Sequence, residues 1–173
     1  MDYVYKVQPW QHQQAAFALS RDADEFALYM EQRTGKSKVA IDTAAWQFSR
    51  GRIDGLLVIA PNGVDEDWIN KYLPEHWPQW AGPIITAHWE GRLLKREEET
   101  LYHPAWVGYF HVLAMNIEAF SSSARAREAA EKFLRRYRCM MVIDEASQIK
   151  DPSSNRTKHL TKLGKLAVTR RIL

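Results

Sequence analysis

The sequence predicts an α/β domain. Three observations carry that expectation. Short apolar runs alternate with longer amphipathic segments along the chain. One continuous apolar run, "CMMVIDEAS", stops at the paired acids Asp144 and Glu145, as a buried parallel strand does at its C-terminal end. And 173 residues suffice for one domain with a real core.

Taken in order, "QPWQHQQAAFALS" reads as a helix with Pro9 near its start. "EFALYM" (25–30) is a buried strand followed by the tight "EQRTG". From Lys36 onward, Val39, Ala40, Thr43, Ala44 and Trp46 fall at helical spacing. "GLLVIAP" (55–61) is a strand ended by proline, and "VDEDWINKYL" a helix with acids in its first turn. "PIITAHWE" and "WVGYFHVLAMN" read as strands flanking a charged helix, "GRLLKREEETL". "SSSARAREAAEKFLRRY" opens on serine caps and runs as an amphipathic helix whose interleaved charges mark a solvated face. A last helix begins near Ser153, and "RRIL" opens a strand. No repeat, low-complexity tract or linker divides the chain, so residues 1–173 read as one domain.

Composition bounds the function classes. With 46% hydrophobic and 26% charged residues the chain is a globular protein, not a disordered one. No apolar run approaches the ~20 residues that cross a bilayer, and the N-terminus lacks signal-peptide character. These features point away from a membrane. The single Cys139 excludes an internal disulfide framework, suits a reducing cytoplasm, and reads as a small core residue. The net charge of +3 is uneven: residues 150–173 hold seven Lys or Arg against Asp151 alone. Such a stretch fits either a polyanion partner or a solvated helix face, and composition does not separate the two.

The chemistry lies in two motifs. A phosphate-cradling loop needs converging backbone N–H groups at the positive end of a helix. In "YMEQRTGKSKVAID" the residues Arg33, Thr34, Gly35, Lys36 and Ser37 form such a loop between a strand and a helix. Gly35 permits close backbone approach, Lys36 reaches the β- and γ-phosphates, and the Ser37 hydroxyl suits Mg²⁺. Gly-Lys-Ser alone is a weak signal, and Met30 stands where the usual pattern has its first glycine. About a hundred residues later, Asp144 is placed to hold Mg²⁺ and Glu145 to polarise the attacking water. Together the two motifs predict a nucleotide site, with Lys36, Asp144 and Glu145 as catalytic residues and Ser37 and Asp144 as Mg²⁺ ligands. The six histidines lack ligand spacing, so no other metal is expected. Among the seven tryptophans, Trp46 and Trp68 lie on apolar helix faces, whereas core packing explains Trp77 and Trp80 least.

The wider pattern resembles the first RecA-like domain of superfamily 2 helicases and translocases, nearest the Swi/Snf-type ATPases and their phage relatives. Members of that branch open motif I without the early glycine, so "MEQRTGKS" is a recognisable variant. "VQPWQHQQAAF" looks like the Q motif, which implies that Gln11 reads adenine. "LLVIAPNGVDEDWINKYLP" looks like motif Ia and "VLAMNIEAF" like motif Ib, implying nucleic-acid contacts at Asn62 and Asn116. "DEASQIKDPSSNRTKHL" looks like motif II and its tail, where Lys150 and Arg156 are further candidates for phosphate contact. Ser147 stands where His is common, at a position that couples ATP state to motif III in the family.

The resemblance implies a three-layer α/β sandwich with a mostly parallel sheet, and the ATP-binding half of a DNA-dependent ATPase in a bacterial or virus-infected cytoplasm. DNA, duplex more than single-stranded, is the implied partner. A second RecA-like domain, in cis or in trans, is implied as the other half, because the family continues past "RRIL" into motif III. Two other readings stay open: a nucleotide- or DNA-binding module without catalysis, and a fragment that needs a separate second half.

Overall fold

The structure, a computed structural model, describes residues 3–149 and 151–173. Six parallel strands form one sheet: β1 (Glu25–Ala27), β2 (Gly55–Ala60), β3 (Ile84–Trp89), β4 (Phe110–Asn116), β5 (Cys139–Ile143) and β6 (Thr169–Ile172). Their spatial order is β1-β6-β5-β2-β4-β3. Parallel neighbours need crossover connections, and helices supply them on both faces. The mostly parallel sheet that the sequence predicts is therefore parallel at every pairing.

The central strands explain their own composition. Every residue of β2 and β5 is buried, which is why they read as unbroken apolar runs. Alternate side chains serve opposite faces. Leu56, Val58 and Ala60 enter one core, under α1 (Gln11–Ser20), α2 (Lys36–Ser49) and the helix beginning with α3 (Val64–Asp67). Leu57 and Ile59 enter the other, under α5 (Lys95–Leu101), α7 (Ala124–Arg136) and α8 (Asn155–Gly164). The layers are thus helix, sheet, helix, with the strand C-terminal ends collected on one rim.

Several expectations needed correction. The first strand stops at Ala27 because it is an edge strand paired only with the four-residue β6. Leu28 still donates to the Ile172 carbonyl, and then Met30 N–H turns back onto the Leu28 carbonyl. The helix from Val64 is not uniform: α3 passes into a π turn (Trp68–Tyr72) and then α4 (Leu73–His76). Pro74 is the cause, since it has no N–H to bond the fourth carbonyl back and its ring crowds that turn. Trp77 is a core residue after all, 5% exposed, stacked on Phe110 at 4.6 Å, with its Nε1–H donated to the Gly82 carbonyl. Trp80 remains 45% exposed.

The helix caps follow local chemistry. Ser123 Oγ accepts the Ala126 N–H at the start of α7, and Ser154 Oγ accepts the Thr157 N–H at the start of α8. A short α6 (Ala119–Ser122) precedes α7. Only Ala126, Ala130, Phe133 and Leu134 of α7 are buried, so its interleaved charges do face solvent. Among the described residues no helix is long and apolar enough to cross a membrane.

Candidate nucleotide site

Residues 30–35 connect the edge strand to α2, and their backbone is unusual. Arg33 and Gly35 both have left-handed φ angles, 61° and 84°. Such turns direct successive N–H groups inward, the arrangement that receives anions. Thr34 Oγ1–H donates to the Glu31 carbonyl at 2.6 Å and tightens the loop. At Gly35 the left-handed φ of +84° requires glycine, and a Cβ would also fall 2.2 Å from Gln13 Nε2, the movable end of a side chain.

The first backbone bond of α2 runs from Val39 N–H to the Gly35 carbonyl, and no side chain caps the helix. The amides of Lys36, Ser37 and Lys38 are therefore the orphan donors at its positive end. Lys36 and Ser37 are half-buried at this point. The next lysine behaves differently. Lys38 turns into the core, where its Nζ meets Asp42 Oδ2 at 2.7 Å and lies 5.1 Å from the Tyr5 ring centre. Tyr3 donates its hydroxyl to the other oxygen of Asp42 at 2.8 Å.

The second motif reaches the same rim. Asp144 N–H donates to the Ile59 carbonyl, extending the β5–β2 ladder one residue past the strand. That register fixes Asp144 at the end of the sheet interior. Burial pushes its carboxyl upward from the ordinary aspartate value. The Trp68 indole N–H, the Glu145 amide and the charge of Lys36 act the other way. Ala27 and Ile143 both lie level with Ile172 of β6, so the loop that leads to Lys36 and the Asp144 carboxylate leave the sheet on the same rim. Glu145 has a left-handed φ of 63° and accepts the Ser147 hydroxyl at 2.7 Å. Ser147 therefore orients the adjacent carboxylate. A loop of free amides, a lysine, a hydroxyl and a half-buried carboxylate suit a phosphate ester and a hard, oxygen-seeking divalent cation.

The other candidates divide. Gln11 is the exposed first residue of α1. Its neighbours touch the loop instead: His12 Nε2–H and Gln13 Nε2–H both donate to the Thr34 carbonyl, at 3.0 and 2.9 Å. Gln13 Oε1 also accepts the Trp10 N–H, joining the start of α1 to the loop. Only the glutamine three residues into the helix hinted at that role. Asn62 is exposed in the loop after β2. Asn116, at the end of neighbouring β4, uses its Oδ1 to accept the Ala119 N–H. Arg156 Nε–H donates to Ser121 Oγ, tying α8 to α6. Lys150 lies outside the described residues.

The basic C-terminal stretch is partly structural. Arg170 pairs with Glu25 across the β6–β1 edge. Arg171 is buried, and its guanidinium donates to the carbonyls of Ser20, Ala23, Asp24 and Arg170. Burial lowers its pKa to about 10. Those two cations hold the fold and are not spare charge for a polyanion. Cys139 is buried, with its thiol pushed well up by desolvation, which makes it inert.

No family model matches the chain, and no curated protein matches it by sequence. Solved structures do resemble it. A Sulfolobus solfataricus SWI2/SNF2 ATPase core in complex with dsDNA superposes with a TM-score of 0.72 at 19% identity, covering 100% of this chain and 34% of that one. The UvsW helicase from bacteriophage T4 gives 0.68 at 10% identity, covering 96% of this chain and 52% of that one. A second structure of T4 UvsW gives the same score and identity, with 30% of its chain covered. The chain thus spans about half or less of the proteins it resembles. At these identities the likeness establishes architecture: the chain has the RecA-like α/β fold that a Swi2/Snf2 ATPase core and a phage helicase share.

Proposed function

We propose that the chain is the ATP-binding half of a DNA-dependent ATPase, a duplex-DNA translocase or helicase. The observation that carries the reading is the shared rim: the amide-rich start of α2 at Lys36 and the Asp144 carboxylate past β5 both follow strands that end level with Ile172. Lys36 binds and neutralises phosphate oxygens while the free amides of α2 orient the chain of phosphates. The Ser37 hydroxyl and the Asp144 carboxylate would hold the cation, and Glu145 would take the proton of the attacking water. A bound Mg²⁺ would supply positive charge against the negative charge that develops on phosphoryl transfer. DNA runs along the strand-end rim past Asn62 and Asn116, with Lys150 and Arg156 adding phosphate contacts. The likeness to a dsDNA complex supports duplex DNA as the partner.

The chain covers 34% of the SWI2/SNF2 core, which favours a second reading beside the first. Here the chain binds nucleotide or DNA but turns over only with a second RecA-like domain. That domain would supply the arginine finger, worth roughly 10³–10⁵ in rate. Mg²⁺-ATP turnover by this chain, with and without duplex DNA and with Lys36→Ala in parallel, separates the two. DNA-stimulated turnover absent from the variant supports the enzyme. Nucleotide binding without turnover supports the half-site. The absence of both removes the proposal.

A further inference from the structure

Trp68 is fully buried, yet its polar edge is spent on a distant carboxylate. Its Nε1–H donates to Asp144 Oδ2 at 2.9 Å across 76 residues of sequence. A buried indole N–H needs an acceptor. The acceptor here is the acid that the proposed function assigns to the cation, and the inference below rests on that reading.

The helix explains how the indole arrives there and why it stays. Pro74 forces the wide turn Trp68–Tyr72, and Trp68 stands at its head. One turn earlier, Asp65 is 1% exposed and doubly engaged. Its Oδ1 accepts the Gly63 N–H at 2.9 Å, and its Oδ2 lies 2.9 Å from His88 Nε2 on β3. At the other end Leu73 is fully buried and Trp77 is stacked on Phe110. The segment is thus held on both sides of Trp68, and swinging its backbone away from Asp144 would break these contacts together.

We propose that Trp68 is a positioning residue for the nucleotide site. By holding Oδ2 it fixes the plane in which the Asp144 carboxylate meets a divalent cation. Residues that orient a metal ligand in this way change metal affinity about 10- to 100-fold when replaced. Trp68 touches neither phosphate nor cation, and acts through Asp144 alone.

The test uses Mn²⁺ as the probe, followed by its electron paramagnetic resonance in the presence of ATP. Trp68→Phe should weaken Mn²⁺ binding about 10- to 100-fold while metal-free ATP affinity stays within about twofold. Wild-type Mn²⁺ affinity in Trp68→Phe, with Asp144→Ala deficient, overturns the positioning role and leaves the site intact. Retained Mn²⁺ affinity in Asp144→Ala overturns the site reading itself and this inference with it. A second readout survives a poorly folding Trp68→Phe. In protein carrying ¹⁵N-labelled tryptophan, the Trp68 indole N–H resonance is assigned by its shift in Asp144→Asn. It should move when Mg²⁺·ADP is added to the wild type and stay in place in Lys36→Ala. A resonance indifferent to Mg²⁺·ADP in the wild type contradicts the proposal.

Discussion

Gln13 donates its side-chain amide to the Thr34 carbonyl at 2.9 Å, and the same amide occupies the space where a Gly35 Cβ would stand. The start of α1 and the phosphate loop are therefore interlocked. Gly35→Ala meets a φ of +84°, and its Cβ would displace the Gln13 amide from the Thr34 carbonyl. A left-handed alanine alone costs about 1–2 kcal/mol. We expect a folded protein with at least about tenfold weaker nucleotide binding, since the proposed function assigns the phosphate contacts to this loop. Titration calorimetry with Mg²⁺·ATP checks it, and unchanged affinity would show that the loop does not touch nucleotide.

Behind the loop, Lys38 and Asp42 are 5% and 2% exposed and paired at 2.7 Å. Asp42→Ala leaves the ammonium buried without its partner, which costs about 3–5 kcal/mol. Replacing both residues with apolar ones of similar volume should recover most of that loss. Urea denaturation measures both variants. A loss below about 1 kcal/mol in Asp42→Ala would mean that Lys38 finds water, as exposed pairs do.

Much of this is legible in the sequence. The loop and α2 are local, so residue types and spacing sufficed, and the apolar run of β5 announced both its burial and its terminal acids. What escaped depends on distance or on competition. Gln13 meets a loop 21 residues away, and Trp68 meets Asp144 across 76, with no periodicity to mark either. The apolar run 25–30 overstates the first strand because its length is set by β6, at the other end of the chain. Trp77 looked spare beside two prolines, but its partner Phe110 lies on β4. Arg171 counted as polyanion-binding charge in the composition, yet it is the buried clamp on the end of α1.

The two tryptophans of "PEHWPQW" should separate on mutation. Trp77→Ala removes a buried ring and leaves a cavity, at about 3–5 kcal/mol. Trp80→Ala, at a half-exposed ring bonded to the Val4 carbonyl, should cost about 1 kcal/mol, near the value of one hydrogen bond. Chemical denaturation of the two variants gives the comparison, and equal losses would contradict the packing described here.

Asp144 carries a pH signature. Its folded pKa is raised above the ordinary 3.8, chiefly by burial. Between the unfolded and folded values the native state binds more protons, so this group's contribution to stability falls as pH rises. Asp144→Asn keeps an acceptor for Trp68 and removes the charge. Without nucleotide or metal, the variant should match the wild type below pH 3.8 and become the more stable protein as pH rises through the folded pKa. Thermal melts from acid to neutral pH follow the difference. A variant less stable than wild type at neutral pH would reverse the sign and contradict the burial argument.

The central claim is that Lys36 and Asp144 face one nucleotide. Binding of Mg²⁺·ATP to the wild type, Lys36→Ala and Asp144→Ala proteins tests it most directly, with ATP alone run beside each. The account predicts that Lys36→Ala weakens ATP with and without the cation, whereas Asp144→Ala loses only the part that depends on Mg²⁺. Equal affinity across all three proteins would contradict it.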